Sequence, residues 1–216
     1  MKKRSLLEEK KDWTRKAILT AAKKVFLEKG YGNTTIEKIA AKARVSKGAI
    51  YLYFSSKDDL YMSLLVPIMQ DLGRLLLDLE EKVAHDPATT GEDVVMGFYH
   101  IFKSVYEADP DLFSIMRAFQ IGVLTSKMTE QSAAEIYHYA KRNTEIGRNI
   151  ILKAMERNLI REVKPAQIYK MFWGMFIGIV QLEESKYRAT QKNYIFSTLE
   201  YAFSAMVDHL CTGRQE

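Results

Sequence analysis

Apolar residues recur at three- and four-residue spacing along nearly all of the 216-residue chain, with few glycines or prolines and almost no β-branched alternation. That period belongs to the helix, so the chain reads as all-α. A first helix is expected over 12–29, with Ile18, Ala22, Val25 and Phe26 as its stripe and Gly30 at its C-terminal stop. Thr34-x-x-Glu37 has the spacing of a capping box and opens a second helix near Thr35. Ser46 can cap a third over 47–54. Ser56-x-x-Asp59 caps a fourth, whose apolar pattern continues past Pro67, where a proline calls for a kink or a break. The pattern then predicts helices from Thr90-x-x-Asp93 to Ala108, from Pro110 behind Asp109 to Gly122, and over 126–158, 165–182 and 192–211.

The second and third of these are too short to be stable alone in water. They must pack on each other and on the first helix. Two short helices joined by a tight turn describe a helix-turn-helix, whose second member enters the major groove of DNA. At 100° per residue Ile50 and Phe54 share a core-facing side, and Tyr51 and Tyr53 fall on the flanks. A tyrosine there packs its ring on the protein and offers its hydroxyl to a phosphate. Gly48 removes a side chain where the helix nears DNA, Lys47 supplies charge, and Ser46 is a further donor. Lys57, at the start of the fourth helix, is placed to hold a phosphate. Thr35 and Arg44 are candidate contacts whose capping and turn roles explain them equally well.

Charge changes the picture along the chain. Residues 1–60 hold 15 Lys and Arg against 7 Asp and Glu, and the remainder holds 17 against 20. A basic first quarter suits a polyanion, although a solvated basic face fits charge alone just as well. One cysteine, Cys211, leaves no internal disulfide and fits a reducing cytosol. The charged N-terminus lacks the apolar stretch of a signal peptide. The most apolar run, 171–182, is too short to span a bilayer. A cytoplasmic chain without membrane contact is therefore expected, with residues 1–11 as a flexible arm.

Residues 14–65 resemble the DNA-binding domain of the tetracycline-repressor (TetR) family of bacterial transcription regulators. The resemblance rests on AILTAAKKVFLEKGYGNTTIEKIAAKARVSKGAIYLYFSSKDDLYMSLL, read as one ordered match. A Gly-Tyr closes the first helix, Thr-Thr follows, then a Val-Ser turn, a Gly-x-Ile-Tyr-x-Tyr-Phe segment and Ser-Lys-Asp-x-Leu. Arg44 stands where the family often has glycine, and Leu52 where an aromatic is common. The resemblance implies DNA contacts from Thr35, Arg44, Ser46, Lys47, Gly48, Ala49, Tyr51, Tyr53 and Lys57. It divides the chain into a DNA-binding domain, 1–58, and a helical ligand-binding and dimerisation domain, 59–216. It implies a homodimer on a pseudo-palindromic double-stranded operator, released by a small-molecule effector through a shift of the fourth helix. Repression is the expected sign of regulation.

Beyond residue 65 composition carries the reading. The helices from Pro165 and from Lys192 are apolar on more than one side, which suits burial against both their own core and a partner. Phe172, Phe176, Ile179, Phe196, Leu199, Phe203 and Met206 are the expected dimer contacts. Phe98, Phe102, Tyr106, Phe113, Met116, Phe119, Tyr137, Met171 and Phe176 are candidate linings for an apolar or aromatic ligand, or the filling of a closed core. No enzyme is expected, and no cofactor or metal. GxGxxG, P-loop, HExxH and CxxC patterns are lacking. Glu135-x-x-His138 is half of a di-iron signature without its second half.

Overall fold

Nine helices account for the regular structure of the described residues, in a computed structural model that describes residues 6–120 and 129–211, without the side chains of 6, 7, 119, 120 and 188–190. They are α1 Leu6–Asn33, α2 Ile36–Ala43, α3 Lys47–Tyr51, α4 Lys57–His85, α5 Gly91–Ala108, α6 Pro110–Gln120, α7 Glu130–Glu156, α8 Pro165–Thr190 and α9 Ile195–Leu210. No strand occurs among the described residues.

The helix starts follow local chemistry. Asp93 N–H donates to the Thr90 hydroxyl oxygen at 3.1 Å, and the Asp93 carboxylate accepts from Thr90 N–H at 2.8 Å, a reciprocal capping box. Asp109 caps α6 by accepting from Leu112 N–H at 3.0 Å, behind the first-turn Pro110. At α2 the cap is Thr35, which accepts from Lys38 N–H at 3.3 Å. Thr34, the expected cap, instead donates its hydroxyl to Gly30 O at 2.7 Å. The swap follows from Gly30, whose φ of 69° bends the chain and turns Thr34 inward.

Other boundaries also differ from expectation. α1 is helical from Leu6, so residues 6–11 are not part of a loose arm. Residues 1–5 and the expected helix end at Gly122 lie outside the described residues. α3 closes after five residues because Tyr53 and Phe54 N–H groups both donate to Ile50 O. α4 runs through Pro67 as one helix, so of the kink or break expected there no break occurs. By length and composition α4 alone among the described helices is long and apolar enough to cross a membrane. Many of its apolar positions, including Leu60, Leu65, Leu72, Leu76 and Val83, are buried inside the protein, as in a core helix, while Leu77 is exposed.

The chain divides into two compact units, Met1–Ile68 with Asp109–His138, and Met69–Ala108 with Tyr139–Glu216. In the first, Ile18, Ala22, Phe26, Ile39, Ile50, Phe54 and Leu60 form the core of the helix-turn-helix. Phe26 and Tyr31 each meet Tyr61 edge-on at about 5 Å. Three contacts bind 109–138 to this core. Tyr61 donates to Ile115 O at 3.0 Å, Lys23 pairs with Asp109 at 2.9 Å, and Asp58 accepts from Thr129 N–H at 2.7 Å.

In the second unit α5, α8 and α9 enclose an aromatic cluster. Phe98, Phe102, Phe172, Phe176 and Phe203 are fully buried in it, and Tyr169 nearly so. Phe98 and Phe172 centroids lie 5.3 Å apart, and Phe172 and Phe203 5.5 Å apart. α7 comes close to α8 at Gly147, where a Cβ would stand 2.2 Å from the Tyr169 ring. Asn143 is buried and donates to Met69 O at 2.9 Å, which fixes α7 against the second half of α4.

Candidate nucleic-acid interface

The turn between α2 and α3 positions everything that follows. Arg44 sits in the left-handed region at φ 57°, ψ 42°, and its N–H closes α2 onto Ala41 O at 3.3 Å. This is the conformation for which glycine is the usual choice, and a residue with a Cβ adopts it at roughly 1–2 kcal/mol. Val45 N–H donates to Ala40 O at 3.1 Å, completing the turn. Ser46 then caps α3 by accepting from Ala49 N–H at 3.1 Å. Burial of Ile50 and Phe54 sets the rotation of the helix, so its other residues face outward as the spacing predicts.

On that outer side Ser46, Lys47, Gly48 and Tyr51 are exposed, and Ala49 and Tyr53 are half-buried. A Cβ at Gly48 would meet nothing nearer than the Ser46 hydroxyl at 3.9 Å. Nothing inside the chain therefore requires glycine there. Lys47 Nζ lies 6.0 Å from the Tyr51 ring centroid, within cation–π reach.

Two details escape sequence reasoning. Lys47 is ion-paired at 2.5 Å with Glu37, on the first turn of α2. The Lys47 hydrogen bond, helped by backbone and Thr35 contacts, pulls the pKa of the Glu37 carboxyl down to about 2. The same pair raises the Lys47 ammonium above its ordinary value. The ten-residue separation leaves no local signal for this pair. Lys57 is also occupied within the chain. Its ammonium donates to Tyr31 O at 3.0 Å and Thr34 O at 3.2 Å, and sits 4.1 Å from the Tyr31 ring centroid. The lysine expected to hold a phosphate joins α4 to the α1–α2 turn.

Beneath it lies a buried polar pair. The Tyr31 hydroxyl donates to Asp58, whose other oxygen accepts from Thr129 N–H. Burial opposes ionisation of Asp58, but these hydrogen bonds outweigh it and hold the carboxyl below its usual range. Burial, then Asp58, pushes the Tyr31 hydroxyl up.

The remaining candidates separate. Phe98, Phe102 and Phe176 meet in the aromatic cluster of the second unit, with Phe102 and Phe176 centroids 5.6 Å apart. Tyr106, at its edge, donates to Glu184 at 3.3 Å. Phe113 and Met116 are buried in the first unit instead. Tyr137 is 55% exposed and Met171 39%, so neither lines a closed apolar cavity in its own unit. The Phe119 side chain lies outside the described residues. Phe172, Phe176, Leu199 and Phe203, expected as dimer contacts, are wholly buried within their own chain and are not a surface a partner touches. Ile179, Phe196 and Met206 are half-buried. The apolar surface that α8 and α9 leave outward also includes Leu182 and Tyr201, which sequence reasoning misses because strong apolar character on all sides hides which side is inner. Among the described residues no group of His, Cys, Asp or Glu is arranged to hold a metal.

The family model of bacterial regulatory proteins of the tetR family matches residues 18–64. The transcriptional repressor BepR of Brucella suis is 48% identical over 52 residues, 24% of this chain, and the match spans only 25% of that protein's own length. The transcriptional repressor SCO4008 of Streptomyces coelicolor is 29% identical over 155 residues, 71% of this chain and 70% of that one. Among solved structures, AibR in complex with isovaleryl coenzyme A and operator DNA superposes with a TM-score of 0.63 at 22% identity, over 78% of this chain and 86% of that one. That likeness is one of fold.

Proposed function

The chain belongs to the tetR family of bacterial regulatory proteins, and on that premise we propose that it is a ligand-responsive transcription repressor. It binds a pseudo-palindromic operator as a homodimer in the cytoplasm and leaves it when a small hydrophobic or aromatic molecule binds. One observation carries the DNA reading. α3 presents Lys47, Gly48 and Tyr51 outward while its caps and its core side are satisfied within the chain. Gly48 has open space around it, as a residue pressed against an outside surface requires.

In this reading Ser46, Lys47, Gly48 and Ala49 face base edges. Tyr51 and Tyr53 reach phosphates, and Thr35 and Arg44 flank them. Lys57 contributes first by holding the α1–α2 turn against α4, which sets the height of α3. Residues 1–58 read DNA, and 59–216 bind the effector and the second subunit. The dimer surface lies on the outward sides of α8 and α9, around Ile179, Leu182, Tyr201 and Met206. The isovaleryl coenzyme A bound by AibR supports an effector with an apolar part. α4 is the element through which an effector acts, because it runs unbroken through Pro67 past the division between the compact units at Ile68.

The test is binding of the purified protein to labelled duplex from immediately upstream of its own gene, against scrambled duplex, across a salt series. Tight, salt-sensitive binding of two subunits to the upstream piece is the expected result. Equal weak binding to both duplexes, with no preferred sequence recovered from a random pool, would sink the proposal.

A further inference from the structure

Outside the recognition helix the first unit holds an open groove of about 390 Å³ between α1 and the end of α2. Trp13, Lys16, Thr20, Lys24 and Lys42 line it. Trp13 is 71% exposed, so its flat ring and its N–H donor are both open at the groove. Among the described residues Lys16 makes no ion pair, Lys42 pairs with Glu28 at 3.0 Å, and Lys24 lies within the electrostatic reach of the same carboxylate. The lining carries three positive charges and no carboxylate.

We propose that this groove is a second DNA-contacting surface, which engages phosphates of the duplex flanking the segment held by α3. The inference rests on the regulator reading above. Charge complementarity favours a nucleic-acid backbone. Lys16 and Lys24 are eight residues apart on α1, roughly 12 Å along its axis, so they serve separate phosphates of one strand and not a single small anion. The groove ends beside the proposed interface in sequence: Lys42 and Ala43, on its lining, immediately precede Arg44 at the turn. The Trp13 ring is suited to pack on sugar edges while its N–H donates to a phosphate.

The experiment starts from the duplex that the intact protein selects out of a random pool, made in a short form and in a form extended by about ten base pairs, one helical turn, on each side. Binding of wild type, Lys16→Ala/Lys24→Ala, Trp13→Ala and Lys47→Ala is measured by fluorescence anisotropy across a salt series. Extension should strengthen wild-type binding. The double-lysine variant should lose that gain and flatten the plot of log K against log salt by about 0.9 for each phosphate contact removed. Trp13→Ala should bind the extended duplex about fivefold more weakly, with the short one little changed. In a Trp173→Phe background the emission of Trp13 should change on saturation with extended duplex, which reports contact even if a groove variant folds poorly. If both groove variants match wild type and Trp13 emission is silent while Lys47→Ala weakens binding, the groove is not a DNA surface and the regulator reading stands. If no sequence is selected and Lys47→Ala binds as wild type does, the regulator reading falls and this inference with it.

Discussion

The Lys47 ammonium of the recognition helix is held 2.5 Å from the Glu37 carboxylate on the first turn of the helix before it. The lysine best placed for DNA is therefore partly neutralised in the free protein. Both groups are exposed, so the pair is a weak contributor to stability and acts chiefly on the local field. Glu37→Gln should leave thermal unfolding close to wild type and strengthen DNA binding severalfold, alike on specific and random duplex. Anisotropy titrations on both duplexes check this, and unchanged affinity on each would mean that the Lys47–Glu37 pair does not come near DNA.

Gly48 offers a test in which stability and binding move in opposite directions. Its place in α3 has room for a methyl group, since a Cβ there would stand 3.9 Å from its nearest neighbour, the Ser46 hydroxyl. Gly48→Ala should stabilise the fold by about 0.5–1 kcal/mol through helix propensity. The added methyl should weaken operator binding by about tenfold or more if the backbone comes close to DNA there. Thermal melts paired with binding curves decide the matter, and a variant that is both more stable and equally tight in binding contradicts the close approach.

Asp58 should make stability depend on pH. The residue is 8% exposed, and its carboxyl accepts from the Tyr31 hydroxyl and from Thr129 N–H. Because its folded value is lowered, the stabilisation is fully present above the unfolded value, near 3.9, and is lost as pH falls through the folded one. Asp58→Asn should lower stability at pH 7 by about 1–3 kcal/mol. The gap from wild type should close as pH falls below the unfolded value and through the lowered folded one. Melts at a series of pH values would show it, and a gap independent of pH would mean that the carboxylate charge is not its source.

The two sides of α9 should respond differently to substitution. Phe203 is fully buried and Tyr201 is 79% exposed. Phe203→Ala should destabilise the chain by about 3–5 kcal/mol. Tyr201→Asp should leave the fold intact and shift sedimentation toward monomer. A Tyr201→Asp protein that sediments as a dimer would place the subunit interface elsewhere.

Much of this architecture is legible in the sequence, because helix periodicity and capping are local. Ser46, Asp109 and the Thr90–Asp93 box each act within three or four residues, and each stands where the pattern puts it. The outward side of α3 is legible for the same reason, since burying Ile50 and Phe54 leaves one rotation for the helix. The aromatic-rich helices after residue 90 are less legible. Their composition does not say which rings meet, and so Phe172, Leu199 and Phe203, expected on a partner-facing side, fill the chain's own core instead.

Order along the chain is thus enough for helix type, caps and the recognition segment, whose contacts lie within one turn of the residues that specify them. Side-chain destinations across the fold are not. Whether Lys57 reaches out to phosphate or inward to Tyr31 and Thr34, and whether Lys47 is free or held by Glu37, depends on residues 10 to 26 positions away brought to within about 3 Å. Packing alone sets those distances, because an ammonium takes whichever oxygens the folded backbone places within its reach.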